Sequence, residues 1–154
     1  YFYKSPMPKV TLGLSTAVSY KKWTASTVLR ANLGNYVYNN VASNFGTTNN
    51  LLSSGAGINN NASRDVFNTG FQQAQFFSDY YVSNASFLRI DNLNLAFNVG
   101  SVFANTANLS LSVGAQNVFV WTKYKGLDPE VTNGVDYNLY PRPRIYSFGA
   151  NISF

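Results

Sequence analysis

The sequence contains no cysteine and no histidine. Disulfides, zinc–thiolate sites, catalytic thiols and histidine general bases are therefore excluded within this chain. Freedom from cysteine fits an exported protein without proving export. Charge is sparse, at 11% of residues. Eleven Lys and Arg against six Asp and Glu give a net +5. The basic residues are scattered, with no basic run interleaved with aromatics, so no nucleic-acid partner is expected. No stretch reaches the roughly 18 apolar residues that a membrane helix needs. Tyr1-Phe2-Tyr3-Lys4 does not open a signal peptide, which would pair a charged segment with an apolar core. With no initiating Met, the chain reads as a piece of a longer protein.

What is present favours strands. The chain is 45% hydrophobic, too apolar for a disordered segment, with 11 Tyr and 12 Phe but one Met. The dominant pattern is alternation with period two. Val10, Leu12, Leu14, Thr16, Val18 and Tyr20 alternate with Thr11, Gly13, Ser15, Ala17 and Ser19. After the break at Lys21-Lys22, Trp23, Ala25, Thr27, Leu29, Ala31 and Leu33 alternate with Thr24, Ser26, Val28, Arg30, Asn32 and Gly34. Two such runs across a short polar turn read as an antiparallel hairpin. A third run sets Leu93, Leu95, Phe97 and Val99 against Asn92, Asn94, Ala96 and Asn98. Upstream of it, Arg89 and Asp91 fall on the apolar parity, which predicts either a bulge or an end projecting beyond a membrane. The fourth run is Leu109, Leu111, Val113, Ala115, Phe119 and Trp121, and the fifth is Tyr146, Phe148, Ala150, Ile152 and Phe154.

The fold class expected is all-β, a transmembrane antiparallel β-barrel of which this chain holds the last five or so strands. Strands are placed at about 9–20, 23–35, 87–99, 109–121 and 144–154. Extracellular loops are placed at about 1–8, 36–86 and 122–143, so that residues 1–154 form one C-terminal barrel part. Short turns on one side and long loops on the other are the layout of an outer-membrane barrel. Strands of this length suit a tilted crossing better than the usual five or six residues. The second face is Ser, Gly, Asn and Thr, as a wet lumen requires. Tyr20, Trp23, Phe119 and Trp121 fall at strand ends, where an aromatic girdle sits. A soluble carbohydrate-binding β-sandwich also alternates and is the rival fold. Five strands cannot close around a lumen, because small barrels need about eight. Partner strands must come from elsewhere in the protein, since open edges in lipid cost several kcal/mol per group.

A family is visible in several segments. Ser78-Asp79-Tyr80-Tyr81-Val82-Ser83-Asn84-Ala85-Ser86-Phe87-Leu88-Arg89-Ile90-Asp91-Asn92-Leu93 resembles a segment of SusC/RagA-type TonB-dependent transporters of Bacteroidetes. So do Gly114-Ala115-Gln116-Asn117-Val118-Phe119, Thr122 to Val131, Tyr140-Pro141-Arg142-Pro143-Arg144 and the terminal strand. Ser19-Tyr20-Lys21-Lys22-Trp23 and Gly34 to Asn39 are similar to the family as well. The Asn-rich stretch from about Asn40 to Gln75 carries no resemblance. The resemblance implies a 22-stranded barrel with an N-terminal plug in the bacterial outer membrane. It implies a SusD-like lipoprotein lid, TonB acting through a part absent from this chain, and uptake of oligosaccharides, peptides or similar oligomers. A non-energised outer-membrane porin is the alternative within barrels.

Candidate site residues follow from these two readings. Phe154, with Ile152 and Phe148, resembles the terminal signal read by the barrel-assembly machinery. Tyr80, Tyr81, Tyr124, Asp128 and Glu130 are candidate loop contacts to substrate or lid. Asp128, Glu130 and Asp136 offer oxygen ligands, yet their spacing does not match an EF-hand. No metal, cofactor or catalytic residue is expected, because no two carboxylates are placed across a sugar-sized gap. The tripeptides at Asn61 and Asn84 match a glycosylation pattern that carries little weight in a bacterial protein. Arg30 is expected to face the lumen.

Overall fold

The computed structural model describes residues 3–49, 62–103, 106–137 and 140–154. In chain order the elements are β1 (Val10–Tyr20), β2 (Trp23–Leu33), β3 (Tyr36–Asn39), α1 (Asn40–Phe45), α2 (Val66–Thr69), a 3₁₀ turn (Asp79–Tyr81), β4 (Val82–Asn84), β5 (Phe87–Val102), β6 (Ala107–Thr122), β7 (Val135–Asp136) and β8 (Ile145–Ser153). They form two units. The first is a five-stranded antiparallel sheet in the order β1-β2-β5-β6-β8. Among the described residues no helix is long and apolar enough to cross a membrane, which says nothing of strands.

The alternation is realised strand by strand. Val10, Leu12, Leu14 and Tyr20 stand opposite Leu33, Ala31, Leu29 and Trp23. Trp23, Ala25 and Thr27 continue onto Phe97, Leu95 and Leu93. Those meet Leu111, Val113 and Ala115, which meet Ala150, Phe148 and Tyr146. Opposite residues share a face because the pleat has period two. The sheet therefore has one apolar face across all five strands. Its other face is polar, with rows such as Ser26, Asn94, Gly114 and Ser147. In that polar row a Cβ on Gly114 would come within 2.8 Å of the Ser147 hydroxyl, which would have to rotate away.

The phase break near Arg89 is a bulge. Pairing slips between Ile90 and Asn92, leaving Asp91 unmatched. Upstream of the slip, Leu88 and Ile90 lie opposite Ala31 and Leu29 on the apolar face, while Arg89 lies opposite Arg30. Extra residues re-aim side chains in this way. Arg89 therefore joins the polar row, and Asp91 makes an ion pair there with the Arg30 guanidinium. The facing partner strand carries its own irregularity, with Asn117 at φ 50. A second slip leaves Val99 unmatched and puts Gly100 at φ +102. It allows Ser101 and Val102 to pair with Asn108 and Ala107. β5 consequently runs three residues beyond its expected end at 99, and the connection is shorter than the expected Gly100–Asn108.

The second unit contains Tyr1–Lys9, Gly34–Ser86 and Lys123–Pro141. Much of it was expected as loop, yet it holds a three-stranded sheet in the order β4-β3-β7. β3 pairs antiparallel with β4 and parallel with β7. Val37, Ala85, Tyr124 and Val131 form its core. Asn39 ends β3 and caps α1, its side-chain oxygen accepting from the Ala42 N–H at 2.8 Å. Such a cap satisfies one of the free N–H groups of a first helical turn. The Asn-rich segment 50–61, with the first residue of the Asn61 tripeptide, lies outside the described residues.

Candidate functional site

The residues singled out in the sequence fall into three places. Tyr20 and Trp23 face one another at the hairpin end of the apolar face, and Trp23 packs on Phe97 with ring centroids 4.6 Å apart. Phe119 and Trp121 pack together at 4.5 Å. They lie opposite Ile90 and Leu88, near the start of β5, whereas Trp23 lies opposite Phe97. The two aromatic pairs thus occupy opposite ends of the same apolar face. The length of β5 from Leu88 to Phe97 separates them, about 30 Å at roughly 3.3 Å per residue. Phe148 and Ile152 lie on the apolar face of β8, opposite Val113 and Leu109. Phe154 follows the end of that strand and is 95% exposed.

The third place is in the loop unit, where the structure divides the five candidate contacts. Tyr81, Tyr124 and Asp128 are buried, so they do not present free side chains to a substrate or lid, contrary to the sequence expectation. The reason is local packing. Tyr124 lies in the core cluster, and its hydroxyl donates to Asp136 Oδ2 at 2.7 Å. Asp128 Oδ1 accepts from the Glu130 N–H at 2.9 Å, ordering the turn before Val131. Tyr81 meets Tyr80 edge to face at 5.0 Å. Tyr80 is half exposed and Glu130 is partly accessible. Burial raises the Tyr124 phenol well above its ordinary value of 10.0, and the hydrogen bond to Asp136 and that residue's charge push it the same way. Burial, then the charge of Asp65, raises Tyr81 likewise.

Sequence reasoning missed a cleft of about 630 Å³ in this unit, lined by Asn39, Arg64, Asp65, Tyr80, Ser83 and Lys125 among others. Its residues come from four separated segments of low periodicity. The available signals were the Asn39 cap and the Ser78 hydroxyl, which accepts from the Tyr80 N–H at 3.3 Å. Among the described residues no three His, Cys, Asp or Glu side chains come together, so Asp128, Glu130 and Asp136 do not form a metal group. On the polar face of the sheet, Arg30 and Asp91 form the ion pair already described, with a second contact from Arg30 Nη2 to Asp91 Oδ1 at 3.1 Å.

No protein-family model matches the chain. It is 38% identical along its whole length to the TonB-dependent receptor SusC of Bacteroides thetaiotaomicron. It is 27% identical over 97% of its length to the TonB-dependent receptor P3 of Formosa agariphila. The chain spans 16% and 17% of those relatives. Among solved structures it is similar to the RagAB peptide transporter, with a TM-score of 0.76 and 29% identity over 98% of this chain and 18% of that one. A RagAB peptide importer in a closed-closed state gives 0.79 and 25% over 99% of this chain and 18% of that one. The matched sheet, its two faces and this identity agree, and the chain belongs to the SusC/RagA-type TonB-dependent transporters, of whose β-barrel it is a segment.

Proposed function

We propose that this chain forms part of the wall of a TonB-dependent importer in the bacterial outer membrane. The observation that carries the reading is a sheet with a continuous apolar face whose edge strands, β1 and β8, each pair on one side only among the described residues. In hydrocarbon, unpaired backbone groups cost several kcal/mol each, so partner strands from the rest of the protein are required. The polar face then lines the lumen and meets the plug, with Arg30 and Asp91 among the lining residues.

The two aromatic pairs suit a girdle at each interface. A strand length of about 30 Å tilted by about 40° spans roughly 23 Å along the membrane normal, close to the apolar band of about 25 Å. The short turn at Lys21-Lys22 lies on the periplasmic side and the loop unit outside. Extracellular loops would be 1–9, 34–86 and 123–141, following the unit boundaries.

In this reading the work is gated passage rather than chemistry. An oligosaccharide, peptide or similar oligomer is captured outside, between the barrel and a SusD-like lipoprotein lid. TonB then pulls on the plug to open a path. The relatives are named as receptors and transporters, which supports this assignment over an enzyme. The test is uptake of a fluorescent oligomer by cells carrying the full-length parent, with and without TonB. Uptake should vanish without TonB. Uptake that persists unchanged would replace the importer with a passive porin.

A further inference from the structure

Within the loop unit, the cleft is lined by Arg64 and Lys125 against Asp65, two cations to one carboxylate, a net +1. Neither cation makes a hydrogen bond or ion pair with any described residue. Asn39, Ser63, Asn68 and Ser83 add amides and hydroxyls to the same walls. Tyr80, held edge to face by Phe71 and Tyr81 with centroids 5.8 and 5.0 Å away, remains 49% exposed. Tyr81 also lines the cleft, and its buried hydroxyl has no hydrogen-bond partner among the described residues.

We propose that this cleft binds an acidic oligosaccharide, a sugar chain bearing carboxylates. The inference rests on the importer reading and deepens it by naming a substrate class. The guanidinium of Arg64 pairs with a carboxylate through two parallel hydrogen bonds, and Lys125 supplies a point charge. Sugar hydroxyls both donate and accept, as do the side chains of Asn39, Asn68, Ser63 and Ser83. The Tyr80 ring offers an apolar surface to the C–H face of a pyranose. A run of peptide carboxylates would use the two cations but offers no pyranose C–H face to the Tyr80 ring.

The experiment uses the intact transporter in detergent and calorimetry with three probes of equal length: an oligogalacturonate, its fully methyl-esterified neutral form, and an oligoglutamate. The oligogalacturonate should bind at least about tenfold more tightly than the neutral form, the advantage shrinking as salt rises. The double variant Arg64→Gln with Lys125→Gln should remove that advantage, so that it binds the charged and neutral forms alike. Both side chains are exposed, and unaltered heat-modifiable gel mobility of the variant checks its fold. Equal binding of the charged and neutral sugars, or an undiminished advantage in the double variant, overturns the proposal. Oligoglutamate binding as tightly as oligogalacturonate overturns the assignment to a sugar. Dependence of uptake on TonB is measured separately, so a failed cleft and a failed importer give different results.

Discussion

At the scale of single residues, facing decides cost. Leu93 lies on the apolar face, opposite Thr27 and Ala115, midway along β5 between the two aromatic ends. Leu93→Arg is expected to destabilise the folded barrel by roughly 2–4 kcal/mol, the value for a cation at the bilayer midplane. Leu29→Arg, paired with Ile90 near the Phe119 and Trp121 pair, should cost less. Asn94→Arg, one residue along on the polar face, should cost least. Urea unfolding of the refolded barrel in lipid checks the order, and equal penalties at Leu93 and Asn94 would refute the facing. Lys21 offers a test of the opposite sign. It sits in the two-residue turn between β1 and β2 at φ 54. A side chain there costs roughly 1–2 kcal/mol that glycine avoids. Lys21→Gly should therefore raise the unfolding midpoint. Lys22 should not tolerate change as well, because its ammonium donates to the Val99 carbonyl at 2.9 Å and its own carbonyl accepts from the Asn98 N–H at 2.7 Å.

At the scale of elements, the segment after β6 carries Tyr124, Tyr137 and Tyr140. The structure gives the ordering role to Tyr124 with Val37, Ala85 and Val131, while Tyr137 and Tyr140 are exposed. A tyrosine becomes a core residue only if other segments surround it, and no alternation in residues 123–141 could report that β3 lies alongside β7. Amide exchange in the intact transporter should show protection at Tyr38, whose N–H donates to the Gly134 carbonyl at 2.9 Å, and at Ala85, whose N–H donates to Asn35 at 2.9 Å. Free-peptide exchange rates at both would show that the unit is not ordered. Tyr124→Phe removes the donor to buried Asp136 and should destabilise this unit by about 1–3 kcal/mol. The same bond sets a pH dependence. The folded phenol titrates above its ordinary 10.0, so its contribution is complete below that pH and declines as pH rises beyond it. Protection within the unit should fall in strong alkali in the native protein, and less so in Tyr124→Phe.

At the scale of the whole molecule, the sheet cannot stand alone in water. Leu12, Leu14, Val18, Tyr20, Phe119, Trp121, Tyr146 and Phe148 are all exposed on one face. An apolar patch of that extent is an association surface, and β1 and β8 add open edges among the described residues. Expressed by itself the chain should aggregate or require detergent. A monodisperse monomer with a cooperative melt in plain buffer would show that the sheet is not a barrel segment.

The sequence by itself determined the five long strands, the parity of their two faces and the hairpin at Lys21-Lys22, because a period-two pattern is set by the chain's own pleat. It also carried the family, through segments that kept their order. It left the phase break at Arg89 open between a bulge and a projecting end. Only pairing with β2 and β6 decided for the bulge, since an unmatched residue is defined by the strands on either side. The small sheet of the loop unit, the burial of Tyr81, Tyr124 and Asp128, and the cleft lined by Arg64 and Lys125 were also decided by tertiary structure. Their elements are two to six residues long, too short to show a period, and their partners lie far apart in the chain.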